Sequence, residues 1–232
     1  QVAALNVSSN STSVNNIVIG NGKTFTPTGN VTVGVNTAAG TSTRLTVAGA
    51  GAWNVNNAAA NALFQVGGAT GGTNSNAAIV DLSGLATFSA NLSGTTSSFR
   101  IGDNASTGTG AATSTVLLAN TSTSIADNLQ VGAHSGNSVM TLSLGSVAQT
   151  LRANTIDVAQ RNTSRSSGTI NFQGASGSVT IRAKNGTGAA ALNIGNNTTG
   201  TGQAIVGLVD LRGHNVEALF GTVNIGVFNA AT

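Results

Sequence analysis

The stretch Ser98-Phe99-Arg100-Ile101-Gly102 contains a four-residue signature: an apolar residue, any residue, Val or Ile, and then a small residue. The signature returns at Val31-Thr32-Val33-Gly34, Phe64-Gln65-Val66-Gly67, Leu129-Gln130-Val131-Gly132, Ile156-Asp157-Val158-Ala159, Leu192-Asn193-Ile194-Gly195 and Val223-Asn224-Ile225-Gly226. Its closing small residues follow one another at steps of 33, 35, 30, 27, 36 and 31 residues. A recurrence near thirty residues is typical of a repeat protein.

Two further apolar–polar alternations precede the signature in most repeats. The first is found at Leu45-Thr46-Val47-Ala48, Val80-Asp81-Leu82, Val116-Leu117-Leu118-Ala119, Leu142-Ser143-Leu144-Gly145, Ile170-Asn171-Phe172 and Val209-Asp210-Leu211. The second, shorter one is found at Trp53-Asn54-Val55, Ala86-Thr87-Phe88, Leu151-Arg152-Ala153, Val179-Thr180-Ile181 and Asn215-Val216. Period-two alternation with β-branched residues predicts strands, and no window shows the period of a helix.

Cutting the chain near the closing small residues gives units of 1–36, 37–68, 69–103, 104–133, 134–160, 161–196 and 197–232. Three strands in each unit predict a triangular coil. The expected fold is therefore all-β: a right-handed parallel β-helix (β-solenoid) of about seven three-stranded rungs of about 32 residues. Residues 1–232 are expected to form a single solenoid domain.

Stacking the units turns the signature into columns of residues about 4.8 Å apart. One inward column should hold Val31, Phe64, Phe99, Leu129, Ile156, Leu192 and Val223. A second inward column should hold Val33, Val66, Ile101, Val131, Val158, Ile194 and Ile225. The outward column between them reads Thr32, Gln65, Arg100, Gln130, Asp157, Asn193 and Asn224. The small residue that follows should turn a corner with positive φ.

The composition is unusual for a globular protein, with 6% charged residues, 3% aromatic residues, 31 Gly and one Pro. A net charge of +3 without a basic cluster argues against nucleic-acid binding. The chain has no Cys, which excludes disulfides and thiolate metal sites. No apolar run is long enough for a transmembrane helix, so membrane insertion is not expected. A polar surface of Ser, Thr and Asn suits an extracellular setting.

Few residues could carry catalysis; they are Asp81, Asp103, Asp127, Asp157, Asp210, Glu217, His134 and His214. Asp81 and Asp210 share a column but should lie four rungs, about 19 Å, apart, too far for a pair of glycosidase carboxylates. The grouping of Asp210, His214 and Glu217 is the only acid–His–acid set, and its plainer interpretation is solvated corner residues. Neither a phosphate-binding loop nor a calcium-binding nonapeptide occurs. No catalytic, cofactor-binding or metal-binding residues are predicted, and the chain is not expected to be an enzyme.

Loops of Gly, Ser, Thr and Asn follow the signatures at residues 69–76, 103–113, 133–137, 160–167 and 196–203 and could form a binding surface at one corner. The motif Thr24-Phe25-Thr26 is not repeated in register, so ice binding is not predicted. No capping helix is evident at either end, and an uncapped solenoid exposes strand edges that favour pairing. The chain is therefore expected either to lie within a longer solenoid or to stack end to end with copies of itself.

The chain resembles the autotransporter-associated β-strand repeats of very large bacterial surface proteins. The resemblance is carried by Val80-Asp81-Leu82-Ser83-Gly84, Val209-Asp210-Leu211-Arg212-Gly213 and the recurring Ile/Val-Gly closures. It implies a secreted, surface-associated β-solenoid with structural or adhesive work and no catalytic residues.

Together these features predict an extracellular structural protein of a bacterial surface, whose subunits stack end to end into a fibre, pilus-like filament or sheath. One alternative is a passenger segment of an adhesin that binds glycans or host protein through the corner loops. A second alternative is a β-helical enzyme that degrades polysaccharide. No cofactor is expected under the first interpretation, and the expected partners are copies of the same chain.

Overall fold

A computed structural model describes residues 2–8, 11–35, 40–68, 77–102, 113–132, 138–160, 166–196 and 205–227. Within these ranges the chain forms strands and turns and contains no helix. The strands are β1 (Leu5–Val7), β2 (Ser13–Val18), β3 (Thr24–Phe25), β4 (Val31–Val33), β5 (Ser42–Asn57), β6 (Leu63–Val66), β7 (Ala77–Asp81), β8 (Leu85–Leu92), β9 (Ser98–Ile101), β10 (Thr113–Leu117), β11 (Thr121–Val131), β12 (Ser138–Leu144), β13 (Ala148–Val158), β14 (Ser166–Phe172), β15 (Ser178–Arg182), β16 (Ala190–Ile194), β17 (Ile205–Val209), β18 (Asn215–Ala218) and β19 (Phe220–Ile225).

These strands form three parallel faces that wind around one core. The first face runs β2–β5–β7–β10–β12–β14–β17. The second runs β3–β5–β8–β11–β13–β15–β18. The third runs β1–β4–β6–β9–β11–β13–β16–β19. Seven turns therefore carry one strand on each face, which confirms the parallel β-solenoid; its right-handed sense stays a prediction.

The signature strands form the third face in the predicted register. Val31 pairs with Phe64, Phe64 with Phe99, and Phe99 with Leu129. Inward residues of this face from Val31 to Val158 are at most 1% exposed. β1 adds an eighth strand before the first predicted signature, because Leu5 pairs with Val31.

The corner after each signature is left-handed, as predicted. The closing residues have φ between 58° and 103°: Gly34, Gly67, Gly102, Gly132, Ala159, Gly195 and Gly226. At Gly132 a Cβ would lie 2.7 Å from the carbonyl oxygen of Ser167, so close approach of the next turn also requires glycine there. Ala159 is the one member of this column with a side chain, and left-handed backbone is strained for it.

The core changes character along the solenoid. Rings of Phe25, Trp53, Phe64, Phe88 and Phe99 pack together in the first turns, with neighbouring centroids between 4.6 and 6.1 Å apart. The middle turns instead place buried polar side chains on the inward positions of the second face: Ser122, Ser124 and Gln149. The last turns are mainly aliphatic, with Phe172 and Phe220 packed against the core. Polar inward residues explain why the first half of β11 shows no apolar alternation in the sequence.

Candidate functional site

The acidic residues considered from the sequence do not come together in the described part of the chain. Asp103 and His134 lie outside the described residues. Asp81 and Asp210 lie in one column of the first face, four strand steps apart along β7–β10–β12–β14–β17, as predicted. Asp81 pairs with Arg44 in the neighbouring strand. No group of three or more potential metal-ligating side chains occurs in the described part of the chain.

The acid–His–acid set is divided among separate contacts. Asp210 accepts two hydrogen bonds from the Arg212 guanidinium, at 2.8 and 2.6 Å, and these lower its pKa to about 2. Glu217 is exposed on the second face and pairs with Arg182. The His214 ring stacks on Phe172 with 3.8 Å between centroids. Since each carboxylate is bound to its own arginine, the set does not form a shared acid–base pair.

The outward column of the third face is a hydrogen-bonded ladder. Arg100 Nε donates to Gln130 Oε1 at 2.8 Å, Asn193 Nδ2 donates to Asp157 Oδ1 at 2.8 Å, and Asn224 Nδ2 donates to Asn193 Oδ1 at 2.8 Å. Asp157 is only 4% exposed. Burial raises its pKa, against the opposing effect of hydrogen bonds to Asn193 and Gln130. The ladder joins successive turns, so its polar residues are explained by structure.

The second face carries two outward columns rich in hydroxyl groups, which we call the hydroxyl columns. One contains Thr87, Thr121, Ala148 and Ser178, and the other contains Ser89, Thr123, Thr150 and Thr180. The motif Thr24-Phe25-Thr26 is not repeated in register in the next strand, since Thr24 pairs with Ala52. Threonines nevertheless stack in register elsewhere, and sequence reasoning missed them because they belong to repeats of different length.

A third outward column of the second face borders the hydroxyl columns. It contains Asn56, Asn91, Ile125, Arg152 and Arg182. Arg182 donates to the carbonyl oxygens of Ile181 and Glu217, at 2.8 and 3.1 Å, besides its ion pair. Arg152 Nε is buried and has no hydrogen-bond partner. Two arginines in adjacent strands thus have different surroundings.

The corner between the second and third faces holds a contact that crosses several turns, which we call the corner clasp. Lys184 Nζ, in the turn after β15, donates to Asp127 Oδ2 at 2.9 Å and to the Gly94 carbonyl oxygen at 2.6 Å. It also lies 3.3 Å from Ser97 Oγ. Gly94 and Ser97 belong to the turn between β8 and β9, three turns of the coil away. The clasp has no local sequence signal, since its partners are 57 to 90 residues apart.

The last described turn exposes side chains that are buried in other turns. Val216, Val223 and Ile225 occupy inward positions and are 44%, 50% and 71% exposed. An apolar cavity of about 70 Å³ lies next to Val216, lined by residues such as Leu151, Ile181, Leu192, Val216 and Phe220. The last described turn therefore presents an apolar surface, and no other described strand pairs with the outer edges of β17, β18 and β19.

The predicted binding loops fall largely outside the described residues, as do residues 228–232. In the ranges that are described, no helix is long and apolar enough to cross a membrane. Comparison of the chain with protein-family models, curated proteins and solved structures finds no match. The resemblance to autotransporter-associated β-strand repeats therefore stays a hypothesis.

Proposed function

We propose that this chain is an extracellular structural protein of a bacterial surface, whose solenoids stack end to end into a fibre or sheath. The proposed location at the cell surface is based on the autotransporter-associated repeats that the chain resembles. The observation that carries the proposal is the exposed apolar turn formed by β17, β18 and β19. In a solenoid such a turn is covered by the next layer of strands.

The size of the exposed surface favours a covering layer. Leu192, one turn below Val223 in the same column, is 8% exposed, whereas Val223 is 50% exposed. Fully burying a Val or Ile side chain contributes roughly 1.5–3 kcal/mol. Val223 and Ile225 would each gain part of that amount when β1 of another copy covers them, and the free backbone groups of β19 would gain partners.

A second copy of the chain presents a matching layer. β1, at the opposite end of the third face, carries Leu5 and Val7 in the same inward columns as Val223 and Ile225. Asn6 likewise belongs to the outward column that ends at Asn224, so stacking continues the polar ladder with an Asn–Asn pair. Repetition of one such head-to-tail contact produces an open filament.

The surface chemistry is consistent with structural material. Outward residues of the described strands are mainly Thr, Ser, Asn and Gln, and 6% of the chain is charged. Four of the five described acids have a lysine or arginine partner, which leaves little free charge. Such a surface suits a filament whose sides carry little net charge.

Electron microscopy and sedimentation of the purified protein test the proposal. We expect filaments with an axial repeat of about 38 Å, since the third face contributes eight strands per chain at about 4.8 Å each. Val223→Asp, at the inward end surface, should abolish assembly because a charge would be buried at the junction. Val206→Asp is the matched control, since Val206 lies on the outward side of the same turn and is 59% exposed.

Circular dichroism of both variants checks that the solenoid remains folded. A wild-type protein that stays monomeric at all concentrations would contradict self-stacking and favour a longer single-chain solenoid. Equal assembly of the two variants would show that the apolar end is not the junction.

A further inference from the structure

Among the described residues, none forms a hydrogen bond or an ion pair with the guanidinium of Arg152 on the second face. Its Nε is buried and makes no hydrogen bond, and none of the described acids lies within ion-pair distance. The side chain is held against Gly186, where a Cβ would lie 2.3 Å from Nη2. A half-buried guanidinium with unused donors is costly unless a ligand or water satisfies it.

The charges around Arg152 do not balance. Arg182, in the adjacent strand, is neutralised by Glu217, and Lys184 at the neighbouring corner is neutralised by Asp127. Glu217 is the one acid in the outward columns of the described second face, and it is occupied by that pair. One positive charge therefore remains on this face, at Arg152, and it favours an anionic ligand.

The hydroxyl columns lie directly beside this charge. Thr150 and Arg152 project from the same side of β13 two residues apart, and Thr180 and Arg182 repeat this arrangement in the next strand. Among the described residues, the hydroxyls of Thr123, Thr150 and Thr180 have no protein partner. They form a row with about 4.8 Å between neighbours, free to bond to a ligand that runs along the solenoid.

We infer that the second face binds an acidic polysaccharide, with an acidic group of the polymer on Arg152 and sugar hydroxyls along Thr123, Thr150 and Thr180. Arginine binds carboxylate and sulfate groups through two parallel hydrogen bonds, which suits a planar or tetrahedral anion. The match is one of charge and hydrogen bonding, on a sheet face away from the end surface. It is independent of the proposed stacking, because assembly and binding use different residues.

The same features disfavour a nucleic acid as the ligand. Proteins that bind single strands combine several phosphate contacts with aromatic side chains on which bases stack. The outward columns of the described second face contain no aromatic residue, and their unpaired charge is a single arginine. A polysaccharide, which forms hydrogen bonds through many hydroxyls and carries an acidic group, fits this face better than a nucleic acid does.

Binding is tested with the full chain at low salt against four immobilised polymers: polygalacturonate, dextran sulfate, neutral dextran and single-stranded DNA. We expect the acidic polysaccharides to bind and neutral dextran not to bind; the two acidic polymers distinguish carboxylate from sulfate as the preferred group. Arg152→Gln should weaken binding about tenfold, the loss expected for one charge-assisted contact. Thr150→Val keeps the shape, removes the hydroxyl and should weaken binding a few-fold.

Arg212→Gln is the control of equal charge. Arg212 is 90% exposed and pairs with Asp210 at another corner, so its loss should change binding by less than about twofold. An unchanged melting temperature of Arg152→Gln establishes that the fold is kept. If Arg152→Gln and Arg212→Gln weakened polysaccharide binding equally, the effect would be one of net charge, and the proposed site at Arg152 would be wrong. Preferential binding of DNA, or equal binding of neutral dextran, would overturn the choice of ligand.

Discussion

The corner clasp gives the sharpest prediction for stability, because it joins turns that a solenoid otherwise leaves unconnected. Replacing Lys184 with Met keeps most of the side-chain volume and removes the ammonium group. The lost contacts are the ion pair with Asp127 and the hydrogen bond to the Gly94 carbonyl oxygen. The side chains of Lys184 and Asp127 are 17% and 21% exposed, so solvent screens the pair only partly.

Lys184→Met should lower the free energy of unfolding by about 2–3 kcal/mol, because one charged and one neutral hydrogen-bond acceptor lose their donor. For a chain of this size that corresponds to a decrease of roughly 6 °C in the melting temperature. Lys23→Met is the matched control, since Lys23 is exposed in the turn before β3. Urea and thermal unfolding followed by circular dichroism measure both variants.

The effect should depend on pH in a defined direction. Burial opposes ionisation of Asp127, but hydrogen bonds from Lys184 and Ser97 outweigh it and hold the pKa below its ordinary value of 3.8. The stabilisation is therefore complete above that value and is lost as the pH falls through the folded-state pKa. The wild type and Lys184→Met should converge there. Equal unfolding midpoints of Lys184→Met and Lys23→Met at neutral pH would refute the reasoning, and contacts between adjacent turns would then suffice.

Three further predictions concern single positions. Phe99→Ala should lower the free energy of unfolding, measured with urea, by about 3–5 kcal/mol. Val223→Ala, in the same column but half exposed, should lower it by less than about 1.5 kcal/mol. Equal decreases would contradict the difference in burial between the two side chains. Asp157→Asn should raise the free energy of unfolding at neutral pH, because burial raises the pKa of Asp157 and the ionised carboxylate therefore destabilises the folded state. This destabilisation is largest above the folded-state pKa of Asp157. The advantage of the Asn variant should disappear below the ordinary pKa of 3.8, where the carboxyl is protonated in both states. Ala159→Gly should stabilise by about 0.5–1 kcal/mol, because φ is +58° there, and a lower melting temperature would contradict the strain.

The fold was predictable where apolar alternation and the repeat period agree. Phe99 and Ile101 could be assigned to the interior because equivalent pairs return near every thirtieth residue. When the strands stack, all of these side chains project from the same side of the sheet. The left-handed corners followed from the closing glycines. β1 was missed although Leu5-Asn6-Val7-Ser8 fits the signature and Ser8 lies 26 residues before Gly34, one residue less than the shortest accepted step of 27.

The candidate surfaces were less predictable, because they depend on register rather than on local pattern. Thr123 and Thr150 lie 27 residues apart, which equals the step between the signatures that follow them, but Thr180 lies 30 residues further on while the next signature step is 36, so the period alone does not align all three. The partners of Lys184 come from turns far apart in the chain. Whether Arg152 or Arg182 is paired depends on Glu217, one turn further on, so charge alone could not distinguish the two arginines.

The orientation of the backbone hydrogen bonds has a mechanical consequence. Bonds such as Gly67 N–H to the Val33 carbonyl oxygen, 2.7 Å, and Gly102 N–H to the Val66 carbonyl oxygen, 2.9 Å, point from one turn to the next along the column. A force along this axis acts on the ladders of all three faces together, so many bonds must break in the same event. A sideways force on a terminal strand breaks them one after another. The molecule should therefore withstand a much larger force along its axis than a sideways force on a terminal strand. Mechanical unfolding should begin at a terminal strand.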